Sequence, residues 1–256
     1  MAGPRVAVIG TGGTISSVGR HGLDLVAYLE NNKIYEVDEL LNAFPETLQQ
    51  GDIVPVRLRA MPSTSIGPTE WLEINEKIHQ LVADDPALEG IVITHGTATL
   101  EETAYFMNLV VKVDIPVVLV GAQRPASGMG TDSGINIVNA IRTAGHPDSR
   151  GRGVLGVLND EIHFSRDMTK TSTLRQQTFK SPDFGILGHA DWDKIAYYRM
   201  PERRRAPDTE FDVRGMTELP RVELSMTYAG SDGTAIDAFA AAGAKGIVVG
   251  AMAPGY

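Results

Sequence analysis

The chain contains no cysteine, which excludes disulfides, thiolate metal sites and a cysteine nucleophile together. Basic charge is also scarce: 23 Lys and Arg stand against 32 Asp and Glu, a net of −9. The longest basic run is Arg203-Arg204-Arg205, too little to track nucleic-acid phosphates or coat an anionic membrane. No apolar run reaches the roughly 18 residues that suggest a membrane span. Met1-Ala-Gly-Pro-Arg5 leads straight into a strand-like segment without a signal-peptide pattern. These absences predict a soluble cytoplasmic enzyme or binding protein with neither nucleic acid nor membrane as partner, although lack of cysteine suits the periplasm equally. What is present is 256 residues, one to two domains at roughly 150 residues each and enough to bury a full core.

Short apolar runs alternate with helical patterns, the signature of βαβ units and a mostly parallel sheet. Strands are expected at Arg5–Ile9, Val54–Ala60, Ile91–Ile93, Pro116–Val120 and Gly153–Leu158. Trp71, Ile74, Ile78 and Leu81 follow Pro68 at helical spacing and predict an amphipathic helix over 69–82. Thr99 with Glu102 three residues on predicts a capping box opening a helix from Leu100 to Val111. A further helix is expected near 134–144. Met200–Pro220 is rich in Arg, Pro and acids without apolar period, and reads as a linker. Val222–Tyr228, Asp232–Ala242 and Gly246–Val249 then form a strand–helix–strand unit. The expected fold is α/β: a large N-terminal domain (1–199) with a mostly parallel sheet flanked by helices, a linker (200–220), and a smaller C-terminal α/β domain (221–256). Stopping at Tyr256, directly after an expected buried strand, would leave an apolar edge unpaired. The second domain therefore reads as truncated.

Ligands of open parallel sheets bind beyond the carboxyl ends of the strands. Three polar turns follow strand candidates: Thr11–Ser17, Thr94–Thr99 and Gly121–Asp132. Parallel strands would bring all three to one edge, where hydroxyls dominate and acids and histidines do not cluster. Gly10-Thr11-Gly12-Gly13-Thr14-Ile15 offers two glycines of a dinucleotide fingerprint, but Ile15 takes the place of the third and no regular helix follows. A nucleophile turn suits the residues better. A threonine hydroxyl needs an adjacent base or neutral amine, and preceding glycines let the backbone turn tightly and offer N–H groups to an oxyanion. Thr14 and Thr97 sit at equivalent places after two strands; each also suits a plain strand-end threonine.

Thr11-Gly-Gly-Thr-Ile15, Thr94-His-Gly-Thr97 with Leu100-Glu-Glu-Thr-Ala-Tyr105, Gly121-Ala-Gln-Arg-Pro125, and Leu158-Asn-Asp160 leading to Thr169-Lys-Thr171 occur in this order. Together with the linker and Tyr228-Ala-Gly-Ser-Asp232, the set resembles the bacterial-type L-asparaginase/glutaminase family over nearly the whole chain. The resemblance implies an amidohydrolase without metal or cofactor, releasing ammonia from a small amide, with asparagine as the default substrate. It implies Thr14 as nucleophile, Thr97 paired with Lys170, and a loop tyrosine, for which Tyr28 is the nearest candidate and Tyr35 the fallback. It places Ser63, Gly96, Ala98 and Gly13 on the substrate side. It also implies a homo-oligomer, dimer or tetramer, since sites of this family are completed across subunits. A lysine desolvated among hydroxyls can lose its proton near neutral pH and then accept one from threonine. His95 is expected to orient the second motif, and Asp132 to serve a turn and cap in the Gly128–Asn136 loop.

Three positions depart from the family pattern. Ala98 stands where an aspartate contacts the substrate's α-amino group, Pro62 where an aspartate precedes the binding serine, and Pro254 where a turn asparagine reaches a neighbouring subunit. Three readings follow: an asparaginase, a hydrolase of another amide, lactam or ester lacking the α-amino group, or a binding or regulatory homologue without turnover.

Overall fold

The computed structural model describes residues 3–255. Its strands and helices run, in chain order, β1 (Arg5–Gly12), α1 (Val37–Ala43), β2 (Asp52–Met61), α2 (Pro68–Asp84), β3 (Gly90–Thr94), α3 (Leu100–Val110) and β4 (Val117–Val120). Then follow α4 (Ser133–Ala144), β5 (Leu155–Leu158), β6 (Glu161–Phe164), β7 (Thr169–Lys170), β8 (Phe179–Lys180), β9 (Gly188–Ala190) and β10 (Ile195–Tyr197). An eight-stranded sheet has the order β10-β9-β6-β5-β4-β3-β1-β2. Strands β2, β1, β3, β4 and β5 are parallel, and β6, β9 and β10 extend the sheet antiparallel. The direction changes at Asn159-Asp160, both at positive φ (52° and 64°), the two-residue turn that matches strand twist in a hairpin.

Strands covered on both faces read as continuous apolar runs, and the alternation of side chains sorts them into two cores. Val6, Val8, Val92, Val118 and Val120 pack with Leu40 and Leu41 of α1 and Ile137 and Ile141 of α4. Ala7, Ile9, Ile91, Ile93 and Leu119 pack on the other face with Ile74 and Ile78 of α2 and Leu100 and Met107 of α3. Helix α2 buries Ile74 and Ile78 of the expected stripe and packs the half-buried Trp71 and Leu81 on the same core, and Glu70 accepts from the Gly67 N–H ahead of Pro68 (3.0 Å).

The capping box expected at α3 does not form. The Thr99 hydroxyl makes no cap bond and donates to the Ser63 carbonyl instead (2.8 Å), tying the turn after β2 to the turn after β3. Turned toward that carbonyl, the hydroxyl accepts no bond from the first N–H groups of α3. Asp132 likewise stands at the start of α4 without a side-chain cap bond.

The chain divides into two compact units, Met1–Arg214 and Gly215–Tyr256. The early part of the 200–220 segment docks on the first unit. Ala206 is buried, and Lys112 Nζ donates to the carbonyls of Pro207 (3.2 Å) and Thr209 (2.7 Å). The second unit is a βαβ element of β11 (Val222–Met226), α5 (Thr234–Ala241) and β12 (Gly246–Gly250), its strands parallel. Here burial differs from the expectation of a core strand: Val248 and Val249 are exposed, because a two-stranded sheet with one helix covers little surface. No helix among the described residues is long and apolar enough to cross a membrane.

Candidate active site

In the order β2-β1-β3-β4-β5 the chain leaves β1 to one side and returns to β3 on the other. This reversal opens a crevice beyond the carboxyl ends of β1 and β3, where ligands of such sheets bind. Thr14 follows β1, Thr97 follows β3, Ser63 follows β2 and Gln123 follows β4. All four line one cavity of about 250 Å³, together with Gly13, Ala98, Tyr28 and Lys170.

Backbone contact sets this spacing. Gly13 has φ of 84°, and a Cβ there would lie 2.2 Å from Gly96 Cα. The two turns therefore touch main chain to main chain, and only glycine permits both the left-handed φ and the approach. Gly96 also lies against Ser63, whose Oγ would be 2.6 Å from a Cβ at position 96. Thus Gly13 and Gly96 bring Thr14, Thr97 and Ser63 together.

Two hydroxyl centres result. At the first, Thr14 Oγ1 and Tyr28 Oη are 2.7 Å apart. Tyr28 begins a 3₁₀ turn, Tyr28–Asn31, in a loop whose Leu25, Val26 and Leu29 also line the cavity. Tyr35, the other tyrosine considered, packs against the hydrophobic core. At the second centre Lys170 Nζ donates to Thr97 Oγ1 (2.7 Å), and Thr97 donates to Gln123 Oε1 (2.9 Å). The Gln123 amide is oriented by donating to the carbonyls of Thr173 (3.2 Å) and Arg175 (3.0 Å).

Lys170 lies on β7, and Glu101 of α3 holds that strand by accepting from the Lys170 N–H and from Thr169 Oγ1. Burial lowers the ammonium's pKa from its ordinary value, while the nearby Glu101 charge pulls it back up. The lysine can therefore give up its proton more readily than a solvated one.

His95 is fully buried. One ring nitrogen lies 2.8 Å from the Gly96 carbonyl, and the other lies 3.0 Å from Thr103 Oγ1. Trp71 Nε1 donates to that hydroxyl in turn (2.9 Å). Burial pushes the imidazole down to about 4, so it is neutral and can donate to Gly96 while accepting from Thr103. It fixes the Gly96 peptide and does not line the cavity. Asp132 accepts from the N–H groups of Gln123 and Arg124 (both 3.0 Å), shaping the turn after β4.

Sequence reasoning had Gln123 only as one polar turn residue and gave Glu101 no part in the site. The signal for Gln123 was its place directly after an apolar strand, on the same edge as the threonines. Nothing in the local pattern announced Glu101, whose partner lies 69 positions away. Among the described residues no group of three or more His, Asp or Glu is placed to hold a metal ion.

Fold and site define an α/β protein with two threonine hydroxyls and a partly desolvated lysine in one crevice. The chain belongs to the asparaginase family: the family model described as Asparaginase, N-terminal, matches residues 5–203. It is 39% identical over 243 residues to the glutaminase-asparaginase of Pseudomonas fluorescens biotype A, covering 95% of this chain and 66% of that protein. It is 38% identical to L-asparaginase 2 of Bacillus subtilis, covering 96% of this chain and 64% of that one. The chain thus spans about two thirds of the length of these curated relatives. The crystal structure of a probable cytoplasmic L-asparaginase from Campylobacter jejuni superposes with a TM-score of 0.90 at 35% identity, covering 96% of this chain and 74% of that one.

Proposed function

We propose that the protein is an amidohydrolase that releases ammonia from a small primary amide through a threonine ester, with asparagine as the reference substrate. The observation that carries this reading is the shared cavity in which Thr14 meets Tyr28 while Lys170 donates to Thr97. Thr14 Oγ1 attacks the carbonyl carbon, the C–N bond breaks, and the Thr14 proton leaves on the ammonia. Water then cleaves the ester, restoring the hydroxyl and releasing the acid. Tyr28 orients Thr14; in the hydrolysis step Thr97 passes its proton to neutral Lys170 while taking one from the attacking water, and the lysine's extra proton returns to Thr14 Oγ1 as the ester breaks. Ser63, Gly96, Ala98 and Gly13 form the substrate side.

Lys170→Met tests the proton-transfer role. It should lower kcat/KM for ammonia release by about 10²–10⁴-fold, the usual worth of a positioned base. In the wild type the rate should rise with pH through the lowered lysine pKa, because the neutral amine is the active form. Glu101→Gln keeps an acceptor for the Lys170 N–H but removes the charge that raises the ammonium's pKa. The acidic limb should therefore move to lower pH. An unchanged profile in both variants would remove Lys170 from the mechanism.

We further propose a cytoplasmic homo-oligomer, dimer or tetramer. The similarity to a probable cytoplasmic L-asparaginase supports the location, and the resemblance to a family whose sites are completed across subunits supports the assembly. Light scattering should give at least twice the mass of one chain.

A further inference from the structure

Gln123 follows the turn out of β4, and its amide has one workable orientation. Its Nε2 lies within hydrogen-bond distance of three main-chain carbonyls, those of Ser172 (3.4 Å), Thr173 (3.2 Å) and Arg175 (3.0 Å). Carbonyls only accept, so the amide N–H groups face them and the amide oxygen faces Thr97 (2.9 Å). That oxygen also only accepts. Thr97 must therefore donate its single proton to Gln123 and receive the Lys170 bond on a lone pair (2.7 Å). Thr97 and Gln123 are both buried. The loop that fixes the amide is itself pinned, since Ser172 and Thr178 exchange two bonds.

Lys170 needs the same proton. In the relay Thr97 hands it to the neutral amine, and the hydroxyl must first turn from Gln123 to Lys170. That turn leaves a buried carbonyl oxygen without its donor, which is unfavourable. While the lysine is charged it has no lone pair to offer, the hydroxyl stays on Gln123, and bonding to the charged form favours that form. Resting on the amidohydrolase reading above, we infer that Gln123 is a positioning residue that sets the direction of the Thr97 proton, and with it the pH at which the Thr97–Lys170 relay engages. The other titratable groups around the lysine have their own partners. Glu101 of α3 holds the Lys170 N–H and Thr169, and Lys180 on β8 pairs with Glu161 (3.7 Å). Asp132 takes the N–H groups of Gln123 and Arg124, and Tyr28 meets Thr14.

NMR titration of the full-length wild type tests the switch without any variant. The side-chain carbonyl carbon of Gln123 should titrate together with the Cε of Lys170, because the carbonyl loses its donor as the amine becomes neutral. A Gln123 signal that stays flat through the lysine titration overturns the inference. Gln123→Met keeps the length and volume of the side chain but removes the acceptor. The acidic limb of kcat/KM should then move to lower pH by about half a unit to one unit, the pKa equivalent of one net hydrogen bond. Loosening the loop at Ser172–Arg175 would raise KM at every pH alike and leave the limb in place, so a limb that does not move also overturns it. The lysine pKa, read from its Cε signal, should fall by the same amount in Gln123→Met, yet by less than a third of it when Gln123→Met is added to Thr97→Val. An equal fall with and without the Thr97 hydroxyl would make Gln123 a mere dipole beside the lysine and overturn the inference. Wild type that releases no ammonia from asparagine or glutamine removes the amidohydrolase reading, and the relay with it, even where the two signals titrate together.

Discussion

Replacing Thr14 with valine will lower ammonia release at least about 10⁴-fold, because a nucleophile removed from a covalent mechanism leaves only binding and electrostatic help. Valine keeps the shape and the β-branch, so the 3₁₀ turn Thr14–Ser16 has no steric reason to change. The loss is one hydrogen bond, to Tyr28 (2.7 Å), worth about 0.5–1.5 kcal/mol net to stability. The two threonines can be told apart by trapping. Acid quenching during turnover should leave an acyl mass on the peptide that carries Thr14 and none on the peptide that carries Thr97. Thr97 is already engaged twice, accepting from Lys170 and donating to Gln123, whereas Thr14 has only the tyrosine hydroxyl beside it in the cavity. An adduct on Thr97, or undiminished turnover by Thr14→Val, would reverse the assignment.

The inner parallel strands were legible because they are buried on both faces, leaving unbroken runs such as Ile91-Val92-Ile93 and Val117–Val120. Strands β6, β9 and β10 have three or four residues each. They are too short for a period to show, and their turns carry residues common in any loop. The site divides along the same line. That Thr14 and Thr97 share an edge follows from parallel strands alone. That Lys170 reaches Thr97 rests on the ordered motifs, since its two-residue strand has no pattern of its own. The roles of Gln123 and Glu101 depend on side-chain direction, which sequence spacing does not carry across a turn. Thr99 shows the converse: its local capping motif was genuine, yet the carbonyl of Ser63, 36 positions back, took the hydroxyl. Tyr28 and Tyr35, both half-buried, were separable only by what they touch: Tyr35 packs against the core, while the 3₁₀ turn carries Tyr28 to the cavity.

Acid should destabilise this protein well before its carboxylates titrate. His95 and His163 are both buried, and both are pushed down to about 4 by that burial, His163 with added repulsion from Lys180 and His189. Below the ordinary histidine value of 6.5 the unfolded chain takes up protons that the folded chain refuses. Stability is therefore fully present above about pH 6.5 and falls as the pH drops toward 4. Two pH units in this window correspond to about 2.7 kcal/mol for each histidine, a large share of the 5–15 kcal/mol typical of a folded domain. At 2–4 °C per kcal/mol for a chain of this size, Tm should fall by roughly 10–20 °C between pH 6.5 and pH 4.5. The two contributions can be separated by substitution. His163 meets Ser181 Oγ at 3.0 Å and His95 meets Gly96 and Thr103, bonds that a glutamine amide can partly replace without titrating. His163→Gln should flatten the slope of Tm against pH by about half while leaving the pH profile of turnover alone. His95→Gln should flatten it similarly but also lower kcat, since the Gly96 peptide that His95 holds is the one packed against Gly13. Slopes equal to the wild type's in both variants would show that the acid response belongs to other groups.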